Sequence, residues 1–210
     1  MHHARRAIHA PQAQCMPQAI HAPSGANHRR LAPPLTFSPK RATMQTEKEK
    51  GGIPMSRILV AYFSASGVTA ERAKELAAAA DADLYEIRPA EPYSAADLKW
   101  TNPLARCNRE WLRKAMPPLA DSDAPVADHD VIFLAFPIWY YTAPLIVNGF
   151  LKAYDFAGKT VVCFATSGGS DMKKVEKSLA PCAPGADLKI GQMLNGGVNA
   201  AAVEALLASL

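Results

Sequence analysis

Cysteine is scarce and scattered: Cys15, Cys107, Cys163 and Cys182 are the only four in 210 residues, with no CxxC and no histidine-paired spacing. That excludes a disulfide framework and a zinc module and leaves reduced, structural thiols, Cys163 being a buried one inside the apolar run Thr160–Ala165. GxxxxGK followed by Ser or Thr is absent, and so is GxGxxG, which excludes a nucleotide-triphosphatase loop and a dinucleotide fingerprint. An excess of one charge is also missing where a core could form. The net charge is +4, but residues 1–54 hold eight Lys and Arg against two Asp and Glu, leaving 15 against 17 in residues 55–210. The globular-looking part therefore has no basic stripe to neutralise phosphates, and a nucleic-acid partner is not expected. No unbroken run of membrane length occurs. Val131–Leu151 is uncharged, but Pro137, Pro144, Asn148 and Gly149 interrupt it and Trp139-Tyr140-Tyr141 falls mid-run, so strand, loop and helix account for it better than a span.

What is present, 49% hydrophobic and 20% charged residues, fits one globular domain. It does not extend to residues 1–54, which hold seven of the 17 prolines and five of the six histidines with neither helical nor strand periodicity. This stretch lacks the apolar core of a secretory signal, and its prolines break any transit-peptide helix. The reading is a disordered extension or a mis-called start. Lys50-Gly51-Gly52 is encodable by a purine-rich ribosome-binding sequence a short distance before Met55, which makes Met55 the expected initiator.

From Arg57 the pattern changes. Arg57–Phe63 is nearly continuously apolar, as in a strand covered on both faces, and Thr69–Ala80 is rich in helix formers. Asp83–Arg88 alternates like a strand with one exposed face, at a sheet edge. A polar and aromatic stretch, 93–119, turns helical over Leu104–Lys114 before Pro117-Pro118. Asp130–Phe136, Lys159–Ala165 and Asp187–Leu194 are further strands. A helix is expected after Thr142-Ala143-Pro144 with the threonine hydroxyl as cap, a capped one over Ser170–Leu179, and a last one over Asn199–Leu210. Alternating strands and helices predict an α/β fold: a doubly wound open sheet of five parallel strands with helices on both faces. His129, beside Asp128 and Asp130, reads as a solvated loop histidine at the end away from any site.

Three loops following strands have unusual chemistry. Ser64-Ala65-Ser66-Gly67-Val68-Thr69 sets three hydroxyls and a glycine at a helix N-terminus, an anion site or an ordinary set of helix caps. Pro137-Ile138-Trp139-Tyr140-Tyr141-Thr142 carries three consecutive aromatics, either a stacking platform for a planar ligand, a docking patch or core filling. Thr166-Ser167-Gly168-Gly169-Ser170 permits close backbone approach, as an ordinary turn also does.

Together these loops resemble those of the flavodoxin family, in the short-chain branch common in anaerobic bacteria, over residues 57–210. The resemblance implies strand order 2-1-3-4-5 and FMN as cofactor. Ser64, Ser66, Gly67, Val68 and Thr69 would then hold its phosphate. Pro137, Ile138, Trp139, Tyr140, Tyr141 and Thr142 would form one flavin loop, with Trp139 or Tyr140 stacked on the ring, and Ser167, Gly168 and Gly169 the other. Two positions depart from the family's pattern: Val68 stands where Asn is frequent, and Tyr140-Tyr141 stand where a glycine near the flavin N5 is common. The function implied is an electron carrier between cytoplasmic redox partner proteins, a monomer with no catalytic acid, base or nucleophile and no metal. The alternatives are an FMN-dependent NAD(P)H reductase of quinones or similar small acceptors, and an interaction module that has lost its cofactor.

Overall fold

The computed structural model describes residues 57–210, so the proposed initiator at Met55 and Cys15 lie outside the described residues. Strands β1 (Ile58–Tyr62), β2 (Asp83–Glu86), β3 (Val131–Pro137), β4 (Thr160–Thr166) and β5 (Asp187–Met193) form one parallel sheet in the order β2-β1-β3-β4-β5. The three central strands are buried on both faces, and their side chains alternate between two cores. Leu59, Ala61, Ile132, Leu134, Phe136, Val161 and Cys163 face one core, while Val60, Tyr62, Phe133, Val162 and Phe164 face the other. This is why those strands read as continuous apolar runs rather than alternating ones. Edge strand β2, with its short DLYE sequence, leaves Leu84 exposed.

Helix α1 (Val68–Ala80) lays Ala73, Leu76, Ala77 and Ala80 on the second core, where α5 (Ala200–Leu207) adds Val203. Asn199 caps α5 by accepting from Ala202 N at 3.2 Å. On the first core lie α3 (Leu145–Ala153), with Ile146, Val147, Phe150 and Leu151, and α4 (Val175–Leu179), with Val175 and Leu179. Each fully buried Leu, Val or Phe contributes about 1.5–3 kcal/mol, so the two layers fix which strand face meets which helix. Helix α2 (Arg106–Arg113) stands in the long excursion between β2 and β3 and ends at Lys114, whose φ is 53°. Gly191 is required where the parallel pairing of β4 and β5 shifts register: a Cβ there would meet Phe164 Cε1 at 2.9 Å and the Cys163 carbonyl at 3.0 Å.

Three expectations are corrected. Thr142 does not cap α3, which begins at Leu145 with Pro144 at the cap position. The Thr142 hydroxyl donates instead to the Ala143 carbonyl at 3.1 Å and pairs with Ser178 Oγ at 2.9 Å. Helix α4 is five residues long rather than spanning Ser170–Leu179, because side chains upstream capture its backbone donors: Ser170 N donates to Ser167 Oγ and Lys173 N to Asp171 Oδ1. His129 is buried at 3% exposure rather than solvated. It does precede β3, away from the strands' carboxyl ends, with Nδ1 2.7 Å from the Pro125 carbonyl and Nε2 2.8 Å from Asp83 Oδ2.

Candidate functional site

The chain leaves β1 for β2 on one side and then returns for β3 on the other, so strand order reverses between β1 and β3. A crevice opens beyond the carboxyl ends of strands at such a point. The three loops singled out in the sequence all converge there.

The loop after β1 closes on itself: Gly67 N donates to Ser64 Oγ at 3.1 Å, and Gly67 takes φ 90°, in the region that favours glycine. Helix α1 starts at the next residue. Its first intrahelical bond runs from Glu71 N to the Gly67 carbonyl at 3.1 Å, so the N–H groups of Val68, Thr69 and Ala70 have no acceptor within the helix. Ser66, Gly67 and Val68 are exposed. Thr69 is not: its side chain turns inward, and its hydroxyl lies 2.8 Å from that of Thr166 at the end of β4.

The second loop is a two-residue turn. Trp139 N donates to the Thr142 carbonyl at 2.9 Å and Thr142 N to the Trp139 carbonyl at 3.0 Å, while Tyr140 and Tyr141 sit at φ 51° and 68°. Both central residues with positive φ define a type I′ turn, which ordinarily takes Asn or Gly. Packing holds it in place. The Trp139 ring meets Phe63 and Tyr93 edge to face, at 5.7 and 5.4 Å between centroids. Tyr140 stacks on Trp111 at 4.9 Å and donates to Asn108 Oδ1, whose amide in turn donates to the Trp100 and Asn102 carbonyls. Burial, and then the neighbouring Cys107 thiol, push the Tyr140 hydroxyl up to about 12. Tyr141 is 60% exposed, with Lys174 Nζ 5.0 Å from its ring centroid. Ile138 N donates to the Thr166 carbonyl at 2.8 Å, which fixes the loop's origin against β4.

The third loop is held by a residue that sequence reasoning missed. Asn195, just after β5, accepts from Ser167 N and donates to the Ser167 carbonyl, both at 2.8 Å. Ser167 Oγ accepts from Gly169 N and Ser170 N at 3.1 and 2.7 Å. Gly168 and Gly169 are exposed, with no atom within 4 Å of where a Cβ would stand, so the backbone there is open to a ligand. A second missed group supports Trp139. Glu110 accepts from Tyr93 at 2.6 Å and from Arg106 Nε at 2.6 Å, while the Arg106 guanidinium lies 4.4 Å from the Tyr93 centroid. Burial first, and Glu110 second, raise the Tyr93 hydroxyl well above its ordinary range. Neither Asn195 nor Glu110 carries a short-range motif; only the fold brings them to the loops they hold.

Between the loops lies a cleft of about 540 Å³, lined by Ala65, Ser66, Trp100, Trp139, Tyr141 and Ser170 among others. Its size and mostly apolar walls with a few polar groups suit a small planar ligand. Aromatic rings along its wall, and the start of α1 just beyond Ser66 with N–H groups lacking helical acceptors, fit a molecule that is flat at one end and anionic at the other.

Fold and cleft together define a doubly wound α/β protein with its ligand crevice at the switch point. The chain belongs to the flavodoxin family: the family model for flavodoxin matches residues 57–209. A comparison with curated proteins finds no match. Among solved structures, a Bacteroides uniformis protein assigned as a flavoprotein is 43% identical with a TM-score of 0.67, covering 72% of this chain and 97% of that one. A Bacteroides eggerthii counterpart is 42% identical with a TM-score of 0.69, covering 73% and 97%. A Lactobacillus acidophilus flavoprotein in complex with FMN shares the fold at 19% identity and a TM-score of 0.50, covering 66% and 91%. No helix among the described residues is long and apolar enough to cross a membrane, and no group of three or more metal-ligating side chains gathers among them.

Proposed function

We propose that the cleft binds FMN and that the protein carries electrons between redox partner proteins, as a monomer in the cytoplasm. The observation that carries this reading is a cleft walled by aromatic rings whose lining runs through Ala65 and Ser66 to the glycine-turned start of α1, where N–H groups have no acceptor within the helix. When bound, FMN supplies the redox chemistry, and the protein supplies position and electrostatics. Ser64, Ser66 and the backbone of Gly67, Val68 and Thr69 hold the phosphate, aided by the α1 dipole, with the Gly67 N–H exchanging its bond to Ser64 Oγ for one to the phosphate. Thr69 contributes its N–H, because its hydroxyl is committed to Thr166. Trp139 or Tyr140 stacks on the ring, and the open backbone of Ser167, Gly168 and Gly169 approaches its edge.

A specific observation favours the second reading, an NAD(P)H-dependent reductase of quinones or similar acceptors. The turn beside the proposed ring site has tyrosines at both positive-φ positions. A mid-turn peptide flip converts type I′ to type II′, whose first central residue is ordinarily glycine. That restricts the backbone adjustment that helps a carrier hold its cofactor in the one-electron-reduced form. The test is to purify the chain and record its visible spectrum, then follow NADH and NADPH oxidation with a quinone present. Flavin absorbance without steady turnover supports the carrier, flavin with turnover the reductase, and a colourless protein that takes up no added FMN refutes both.

A further inference from the structure

The charges of this domain are unevenly distributed, with free cations gathered in two segments near the cleft. Segments 93–116 and 166–179, both at the carboxyl end of the sheet, carry eight Lys and Arg against four Asp and Glu; the other described residues carry seven against thirteen. Asp81, Asp83, Asp128, Asp130 and Asp187 stand beside the amino ends of strands, on the far side, against Arg57 and Lys159 there, of which Arg57 pairs with Asp128. Near the cleft, Arg106 is tied to Glu110 and Lys173 to Asp171. The other six cations of these segments have no ion-pair partner among the described residues, and three of them stand beside the cleft or its aromatic residues. Lys99 sits between the cleft-lining Leu98 and Trp100. Lys174 reaches over Tyr141. Lys114 lies 3.5 Å from the centroid of Trp111, which stacks on Tyr140.

The same face exposes large apolar side chains that a soluble surface normally covers. Trp100 is 73% exposed, Leu104 77% and Leu112 75%, and Tyr141 adds a fourth. Leu104 and Leu112 belong to the excursion carrying α2 and are not among the residues lining the cleft, so a ligand confined to the cleft does not account for them. Exposed aromatic side chains with a surrounding of mostly positive charge match the anatomy of a protein interface, in which aromatics anchor and rim charges steer the encounter.

We propose that the mouth of the cleft is the docking surface for an acidic redox protein, with Trp100 and Tyr141 as the apolar contact and Lys99, Lys114 and Lys174 receiving its carboxylates. The proposal rests on the FMN reading of the cleft, since docking there places a partner next to the proposed ring site. The sign follows from the uneven distribution of charge: the far side, rich in aspartate, repels the same partner and orients its approach.

The test uses the full chain loaded with FMN, its visible spectrum taken first. Failure to take up FMN defeats the reading of the cleft, whereas every result below is read on protein that has bound it. Binding of an acidic 2Fe–2S ferredoxin and of the basic cytochrome c, as protein probes of opposite charge, is measured by calorimetry at low and high salt. The ferredoxin is expected to bind at least about tenfold more tightly than cytochrome c at low ionic strength, and to lose that advantage as salt screens the charges. The double variant Lys99→Glu/Lys174→Glu should reverse the preference, and Lys152→Glu, on the last turn of α3, should leave it unchanged. No preference between the probes, or a preference that survives the double reversal, overturns the proposal. So does charge sensitivity seen only in the oxidation of the reduced protein by ferricyanide, a small anion, with no ferredoxin binding.

Discussion

The hydroxyls of Thr69 and Thr166, 97 residues apart in sequence, lie 2.8 Å apart in the protein interior and join the start of α1 to the end of β4. Each is 5% exposed or less. Replacing either by valine leaves its partner's hydroxyl buried and unsatisfied, at a cost of about 1–3 kcal/mol, whereas replacing both removes the mismatch. Urea unfolding of Thr69→Val, Thr166→Val and the double variant should therefore show strong non-additivity, the double being the most nearly native of the three. Additive losses would show that the pair carries no coupling.

If the Ser64–Thr69 loop grips a phosphate, FMN should bind far more tightly than riboflavin. Ser66→Asp sets a negative charge on an exposed residue of that loop and should lower FMN affinity while leaving riboflavin affinity almost unchanged. Fluorescence titration with the two flavins gives the comparison directly. Equal affinities in the unmodified protein refute the phosphate assignment.

Trp139 lines the cleft, and its ring is braced edge-on by Phe63 and Tyr93, whereas Tyr140 already has Trp111 on its face. Trp139 is therefore the better platform. Its emission should be quenched when FMN binds, and Trp139→Ala should weaken flavin affinity by about 1–3 kcal/mol, with aromatic stacking on nucleic-acid bases as the guide. Unchanged affinity and quenching in that variant would move the ring to Tyr140.

The turn at Tyr140-Tyr141 makes a sharper prediction. A flip of its central peptide sends Tyr140 into the conformation that glycine ordinarily supplies in type II′ turns. Tyr140 already has positive φ, so what the flip adds is a swing of its ψ into a region that only glycine ordinarily occupies, at a cost of about 1–3 kcal/mol, and 1.4 kcal/mol is about a factor of ten in an equilibrium. During anaerobic dithionite titration, Tyr140→Gly should accumulate more of the one-electron-reduced flavin than the unmodified protein, provided FMN still binds. Near-complete accumulation in the unmodified protein would show that the turn imposes no such restriction.

The sheet was legible because its central strands are sandwiched, so their apolar runs survive in one dimension, and the edge position of β2 followed from its alternation. The two missed caps have a common cause. Around Thr142 and Ser170, side-chain hydroxyls and backbone donors found partners outside the helix, Ser178 in one case and Ser167 in the other, and a local rule does not weigh such competitors. His129 departs from expectation for a similar reason: its ring is held by a hydrogen-bond partner, Asp83, 46 residues away. The three loops were visible as clusters of glycine, hydroxyl and aromatic residues. What holds them was not, since Asn195, Glu110 and Asn108 carry no motif and act only through distant partners.

The clamp from Asn195 to Ser167 also has a consequence for how this site is built during synthesis. The glycine loop after β4 is braced by a side chain 28 residues further along the chain. A ribosome can therefore have released all three loops while the last of them still lacks its brace. The third loop gains this brace only once β5 has joined the sheet, so a released chain truncated before Asn195 would present the turn after β1 and the aromatic wall beside an unfastened third loop.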